Sequence, residues 1–336
     1  MSAFDLGGAG GPPPPAQLQQ LAAGHYVARC LHVVAKSQIA DLIGDRPTTA
    51  AAIAAKAKVD ADALERVLRL LAMHGVFRRE RDGWAHTPAS DFLRSDHPFS
   101  MRAMACMMGD PVNWKSLEIL DHSLKTGQAA VEKVHPKGIW GYYADHPEDG
   151  RQFDAAMTAK SQGDIGLLVA AIDMEGVETI ADIAGGRGHF LRAILDAHKK
   201  VSGILFDQPD VVANAGDHPR MQRVSGDFFK SRMPVADLYL MTHIIHDWAD
   251  AESIAILKNL RAAAPAHARL VVYELELPEG PEPHPAKVLD IIMLAITGGR
   301  ERTPTEYAKL FRAAGWKDAG VVRTPGPMAL HLAQAS

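Results

Sequence analysis

The sequence predicts two architectures in one chain: a mainly α-helical winged-helix domain and, behind it, a doubly wound α/β domain. Three observations carry that expectation. Helix, helix and hairpin patterns follow one another before residue 100; strand and helix patterns alternate after residue 178; and a glycine-rich turn separates the first of those strands from its helix. At 336 residues the chain can bury one large core or two medium ones, and 47% hydrophobic with 23% charged residues is globular composition. A formal net charge of −4 argues against a protein whose task is to coat nucleic acid or an anionic membrane. Two cysteines, Cys30 and Cys106, cannot staple a chain this long, and they fit a reducing compartment.

In chain order, the Gly/Pro-rich start (residues 1–16) cannot bury apolar surface and is expected to be a mobile tail. It has neither the basic start nor the apolar segment of a secretory signal, and no later apolar run nears the roughly 18 residues of a membrane span. The expectation is a soluble, cytoplasmic protein. Residues 17–100 form the winged-helix domain. Leu18, Leu21, Val27, Leu31 and Val34 recur at helical spacing; Thr48 or Thr49 caps a short Ala-rich helix; Asp60 caps a second with the stripe Leu64, Val67, Leu68 and Leu71. Gly75 closes that helix, and Val76–Phe77, the Asp82–Gly83 turn and Trp84 make the wing. Eleven Lys/Arg against nine Asp/Glu over residues 16–100 is a weak basic excess for reading DNA, and Glu65 sits beside Arg66 and Arg69 on the would-be recognition helix. Packing or dimerisation is the better use of this domain. Residues 101–336 form the second domain, opening with a helical linker over 101–171 that places Met101, Met104, Met107 and Met108 on one face as core or as an apolar ligand wall.

Strands follow at Thr179–Ile183, Ile204–Asp207, Arg223–Val224, Asp237–Met241 and Arg269–Leu277, with a helix at Phe190–Ala197. Such alternation means a parallel sheet whose ligands lie at the carboxyl ends of its strands. Thr303-Pro-Thr-Glu306 is a capping box with Pro at the first helical position, and the chain ends in a hairpin around Pro325–Pro327.

Three clusters carry chemistry. Asp182 ends a strand and Gly185-Gly186-Arg187-Gly188 turns into a helix, the arrangement that lets backbone approach a ligand closely. Asp207 ends the next strand, 19 residues beyond Gly188, where a carboxylate accepts ribose hydroxyls. The third glycine of a dinucleotide fingerprint is missing, as is the Gly-Lys-Ser/Thr of a phosphate loop. A nucleoside cofactor without pyrophosphate fits better, with Asp227 for an exocyclic amine and Phe228 as a face for adenine. The third cluster is His243-Ile-Ile-His246-Asp-Trp248. His246 falls at the carboxyl end of the sheet, facing the same crevice, and Glu274 and Glu301 can converge on it to orient the ring and raise its basicity. His243, His246 and Asp247 do not match the zinc spacing, so no metal is expected.

With these residues in view, the chain resembles the caffeate-type S-adenosylmethionine-dependent small-molecule O-methyltransferases, and most of all their bacterial relatives that tailor aromatic natural products. The resemblance runs over about residues 17–336 through Phe153-Asp-Ala-Ala-Met157, the Asp182–Gly188 loop, Gly226-Asp-Phe228, His246-Asp-Trp248 and Gly298-Gly-Arg-Glu301. It implies a Rossmann-like methyltransferase domain behind a winged-helix dimerisation domain, hence a homodimer, with S-adenosyl-L-methionine as cofactor and a small aromatic substrate. By resemblance, Gly185 and nearby backbone meet the cofactor's methionine part, Asp207 its ribose, and Asp227 with Phe228 its adenine. His246 resembles the general base, Glu274 and Glu301 the acids that hold it, and Phe153, Met157 and Met293 the acceptor pocket. Three positions depart from the family pattern: Ala184 for its first glycine, Arg187 for a small polar residue, and Gln208 for a leucine. Alanine at 184 is expected to fit at a negative φ. The expected reaction is methyl transfer to a phenolic hydroxyl. The competing readings are a C- or N-methyltransferase, with a metal at His243 and His246; a ligand-sensing winged-helix DNA binder; and an NAD-dependent oxidoreductase, disfavoured by the missing glycine.

Overall fold

The structure, a computed structural model, describes residues 12–335. Residues 1–11 of the expected mobile tail lie outside the described residues, and the first helix begins at Pro14. The chain divides into two compact units. One runs to Lys115 and takes in Trp140–Lys160; the other comprises Ser116–Ile139 and everything from Ser161 on.

The first unit opens with α1 (Pro14–Lys36), α2 (Ala50–Ala57), α3 (Ala61–Met73) and the antiparallel hairpin β1 (Phe77–Glu80) and β2 (Gly83–His86), so the winged-helix pattern is present. Local chemistry explains the boundaries. The Thr49 and Asp60 side chains accept the Ala52 and Ala63 amides and so cap α2 and α3. Ile53, Leu64, Leu68, Leu71, Phe77 and Trp84 make the core of this unit. Glu65, on α3, is taken up at home: it receives both a bidentate contact from Arg79 at 2.9 and 3.0 Å and the Trp84 indole N–H at 2.8 Å, tying the wing to the helix.

The stretch expected to be one helical linker is broken into short pieces. After α4 (Pro88–Asp91) come α5 (Arg102–Met108), α6 (Pro111–Glu118), α7 (Leu120–Thr126), α8 (Val131–Val134) and α9 (Gly138–Asp145), and only then the long α10 (Pro147–Ala171). Pro111, Gly127, Gly138 and Pro147 stand at the breaks, since Pro lacks the amide that would continue a helix and Gly127 and Gly138 take positive φ. The methionine stripe is accordingly not core. Met101 and Met108 are exposed and Met104 and Met107 half-buried, while Cys106 is the buried residue of α5.

The second unit is a seven-stranded sheet in the order β5-β4-β3-β6-β7-β9-β8, built from β3 (Thr179–Ile183), β4 (Ser202–Asp207), β5 (Met221–Ser225), β6 (Leu238–Thr242), β7 (Arg269–Leu275), β8 (Trp316–Arg323) and β9 (Met328–Ala335). The first five are parallel; β9 runs antiparallel to β7 and to β8, forming the expected terminal hairpin. Helices α11 (His189–Ala197), α12 (Pro209–Ala213), α13 (Asp250–Ala263), α14 (Pro285–Ile296) and α15 (Pro304–Ala313) complete it. Alternate residues of one strand enter different cores. Leu238 and Leu240 pack with Leu191 and Ile194, whereas Tyr239 and Met241 pack with Leu257 and Leu260, so the sheet is covered on both faces. Strand order reverses between β3 and β6, which opens a crevice at their carboxyl ends.

Candidate active site

At that switch point both strands end in the same unusual way. Ala184, just after β3, and His243, just after β6, adopt left-handed backbone with φ of 55° each. The negative φ on which the fit of an alanine at 184 was made to depend is therefore not met. Its amide is held by the Phe206 carbonyl at 2.7 Å, and the chain must turn sharply to bring Gly185 over β3, a conformation that costs an alanine roughly 1–2 kcal/mol. Gly185 has no alternative. A Cβ there would stand 2.4 Å from a carboxylate oxygen of Asp182.

The glycine turn is open on its other side, because a Cβ on Gly186 would meet nothing within 4 Å. Asp207, at the end of β4, accepts the Gly186 amide at 2.8 Å and the Gln208 amide at 2.7 Å, so it both shapes the turn and retains lone pairs for a ligand. Burial pushes its pKa up against those two donors. Asp182 is more extreme. It is fully enclosed, neither oxygen has a partner in good hydrogen-bond geometry among the described residues, and burial together with the Asp207 charge raises its pKa to about 7 against the opposing pull of the Leu191 amide. Beyond β5, Asp227 is held low by the Phe229 amide and by Lys230, and Phe228 packs edge-on against Trp248 at 5.7 Å.

A single 3-10 turn, Ile245–Asp247, carries His246. Glu274, on β7 and wholly buried, does not touch the imidazole. Its Oε1 accepts the backbone amides of Ile244, Ile245 and His246 at 3.0, 2.6 and 3.2 Å, and its Oε2 accepts the Tyr307 hydroxyl from α15. Glu301 is the acid on the ring, with Oε1 2.7 Å from His246 Nδ1. An ionised carboxylate can only accept, so Nδ1 carries the proton and Nε2 is the nitrogen that can take one. Glu301 is itself aimed by its amide, which donates to Asp290 of α14 at 2.9 Å. Burial alone would lower the His246 pKa, but the charges of Asp247, Glu301 and Glu274 outweigh it and hold the ring up at about 9. His243 lies alongside, its ring centroid 5.7 Å from that of His246 and its Nε2 3.5 Å from the Asp164 carboxylate.

Met293, three residues past Asp290 on α14, is buried in the same unit. Phe153 and Met157 lie on α10 within the first unit, where Phe153 packs against Trp140 at 5.7 Å and Tyr143 at 4.9 Å. Sequence reasoning missed Tyr307, Asp290 and Asp164, each of which reads as an ordinary helix residue. Only Tyr307 carries a signal, a hydroxyl within the apolar stripe of the helix behind the capping box. Among the described residues no three His, Cys, Asp or Glu side chains group to hold a metal, and no helix is long and apolar enough to cross a membrane.

Comparison with known proteins gives this geometry a context. Residues 117–317 match the model of an O-methyltransferase domain and residues 19–96 that of an O-methyltransferase dimerisation domain. The chain is 39% identical to phenazine O-methyltransferase PhzM of Lysobacter antibioticus, over 96% of both proteins. It is 33% identical, over 88% of both, to the 8-amino-8-demethylriboflavin N,N-dimethyltransferase of Streptomyces davaonensis. Among solved structures it is similar to CalO1, a methyltransferase in calicheamicin biosynthesis in its SAH-bound form, with a TM-score of 0.86 and 34% identity over 96% of this chain and 98% of that one.

Proposed function

The chain belongs to the O-methyltransferase family, whose reaction consumes S-adenosylmethionine, and from that premise we propose that it methylates a phenolic hydroxyl of a small aromatic metabolite with His246 as general base. One observation carries the reading. The Nδ1 of His246 is committed to Glu301 at 2.7 Å, which leaves Nε2 as a base at the carboxyl end of the strands, beside the glycine turn. When bound, the cofactor supplies a methyl group on a cationic sulfur, open to in-line displacement. The chain's own residues supply position and proton removal.

The residues present suit that cofactor. Gly186 leaves open space against the turn, Asp207 keeps acceptor capacity for ribose hydroxyls, and the enclosed Asp182 gives the floor of the turn a negative charge or a neutral acid. In this reading Gly185 and neighbouring backbone hold the methionine part, and Asp227 with Phe228 the adenine. His246 withdraws the hydroxyl proton through Nε2 as the oxygen attacks; Glu301 stabilises the imidazolium that results; and Glu274 keeps the turn carrying the ring in place. Met293, on α14, supplies apolar surface for the acceptor.

The chain carries the family's dimerisation domain, and α1 leaves Leu18, Leu21, Tyr26 and Val33 exposed, apolar surface that suits a second copy; we read the working form as a homodimer, which sedimentation would reveal as twice 36.3 kDa. An amine acceptor is the second reading, favoured by the N,N-dimethyltransferase among the relatives. Calorimetric titration of S-adenosylmethionine, S-adenosylhomocysteine and NAD into wild type and Asp207→Ala tests the cofactor site. Binding of the first two that is lost in the variant supports it, and binding of NAD instead would overturn it. A panel of matched phenols and anilines then separates the acceptors, methylated anilines alone removing the phenol reading.

A further inference from the structure

The His246 turn is held at its amino end by Glu274; the structure assigns the matching hold at its carboxyl end to Arg302, which we infer is a positioning residue for the general base. This rests on the reading of His246 given above. Arg302 is a fully buried guanidinium, a costly thing to enclose unless every donor is used. Its donors are spent on the His246 turn, on the start of the helix that follows it, and on the Arg300 carbonyl. Nη1 donates to the Ile245 carbonyl at 3.0 Å and, at 3.4 Å, to that of Arg300; Nη2 donates to the Trp248 carbonyl at 2.8 Å and reaches Ser253 Oγ at 3.4 Å. Nε and Nη2 together grip Asp250 at 3.1 and 2.8 Å, at the start of α13.

Ile245 and Trp248 flank His246, so Arg302 fixes the turn just before and just after the ring. The two clamps divide the peptide groups between them. Amides of 244–246 point at the Glu274 carboxylate, and carbonyls of 245 and 248 point at the guanidinium, an anion at the amino end and a cation at the carboxyl end of one 3-10 turn. Arg302 also adjoins Glu301, the acid on the ring, and its carbonyl takes the Leu277 amide at 3.1 Å, which fastens the clamp to the chain leaving β7. A displacement of the guanidinium therefore moves the base and its orienting carboxylate relative to each other.

The planar fork is what a lysine cannot reproduce, since the Ile245 carbonyl, the Trp248 carbonyl and the Asp250 carboxylate are met by three different nitrogens and an ammonium has one. The test compares wild type with Arg302→Lys and Arg302→Gln by single-turnover methyl transfer, S-adenosylhomocysteine affinity, thermal midpoint, and NMR titration of the His246 imidazole. The groups facing that imidazole are Glu301, Asp247, Glu274 and the His243–Asp164 pair. The expected result is a plateau transfer rate, read where the ring is neutral in each enzyme, about tenfold or more lower, affinity within about twofold, and an imidazole pKa moved from near 9 towards 6.5 as Glu301 loses its alignment. Wild-type rate and titration in both variants would overturn the proposal. So would affinity, rate and folded fraction falling together, or both variants failing to fold, since Arg302 would then hold the fold rather than the base. If instead the imidazole titration moves while the rate stays, the clamp stands and the general-base reading fails.

Discussion

His246 owes its chemistry to its neighbours. An imidazole held near pKa 9 is cationic at neutral pH and becomes a base only in its minor, deprotonated form, but that form is nearly matched to a phenol of pKa about 10. The sign of the pH dependence follows. Against a neutral phenol, kcat/KM should rise about tenfold per pH unit from 7 and level near 9, and a profile already flat at 7 would mean that the ring titrates at its ordinary value. The same raised pKa contributes stability that is fully present below about 6.5 and lost as pH rises through about 9. From sequence, His246, Glu274 and Glu301 could be assigned to one end of the sheet, because strand ends are legible. Which of them touches which could not. A separation of 28 positions between His246 and Glu274 carries no orientation, and only the folded chain shows that Glu274 acts on amides and Glu301 on the ring. Ala184 makes the same point, for a methyl group says nothing of the backbone turn it is forced to share with Gly185.

At the scale of elements, the segment after α14 matters most. Gly299 lies so close to the His246 turn that a Cβ on it would stand 2.0 Å from the His246 carbonyl oxygen, and the Arg300 amide donates to that same oxygen at 2.8 Å. The obstacle is backbone, which cannot swing aside. Gly299→Ala should therefore cost roughly 1–3 kcal/mol of stability and at least tenfold in turnover, read by thermal melting and by a methyl-transfer assay; a variant equal to wild type in both would mean the two segments are free to separate. The strands of the sheet and the Thr303 capping box were legible because apolar runs and cap residues act locally. The helical region before the sheet was legible as helix but not as six pieces. Its Pro and Gly breaks are visible in the sequence, yet helical periodicity runs across them and hides them. The core reading of the methionine face failed for a related reason, since α5 spans only Arg102–Met108, two turns that bury Cys106.

On the scale of the whole molecule, the reversal of strand order between β3 and β6 gathers the glycine turn and the His246 turn at one end of the sheet, while Phe153 and Met157 belong to the other unit. A winged helix without a basic face, its Glu65 taken up by its own wing, accords with the dimerisation domain that residues 19–96 match. Fold class and family were legible because several motifs occur in the right order over nearly the full chain. The acceptor was not, because its recognition depends on side-chain shapes that neither spacing nor composition encodes. In the proposed reaction this sheet end removes a proton from the acceptor through His246. The most direct test is transfer of a labelled methyl group from S-adenosylmethionine to a phenol by His246→Ala beside wild type, with cofactor affinity measured on the same preparations. Affinity within about twofold of wild type with turnover lower by on the order of 10² to 10⁴ is the expected result; a variant as active as wild type would remove His246 from the role of general base.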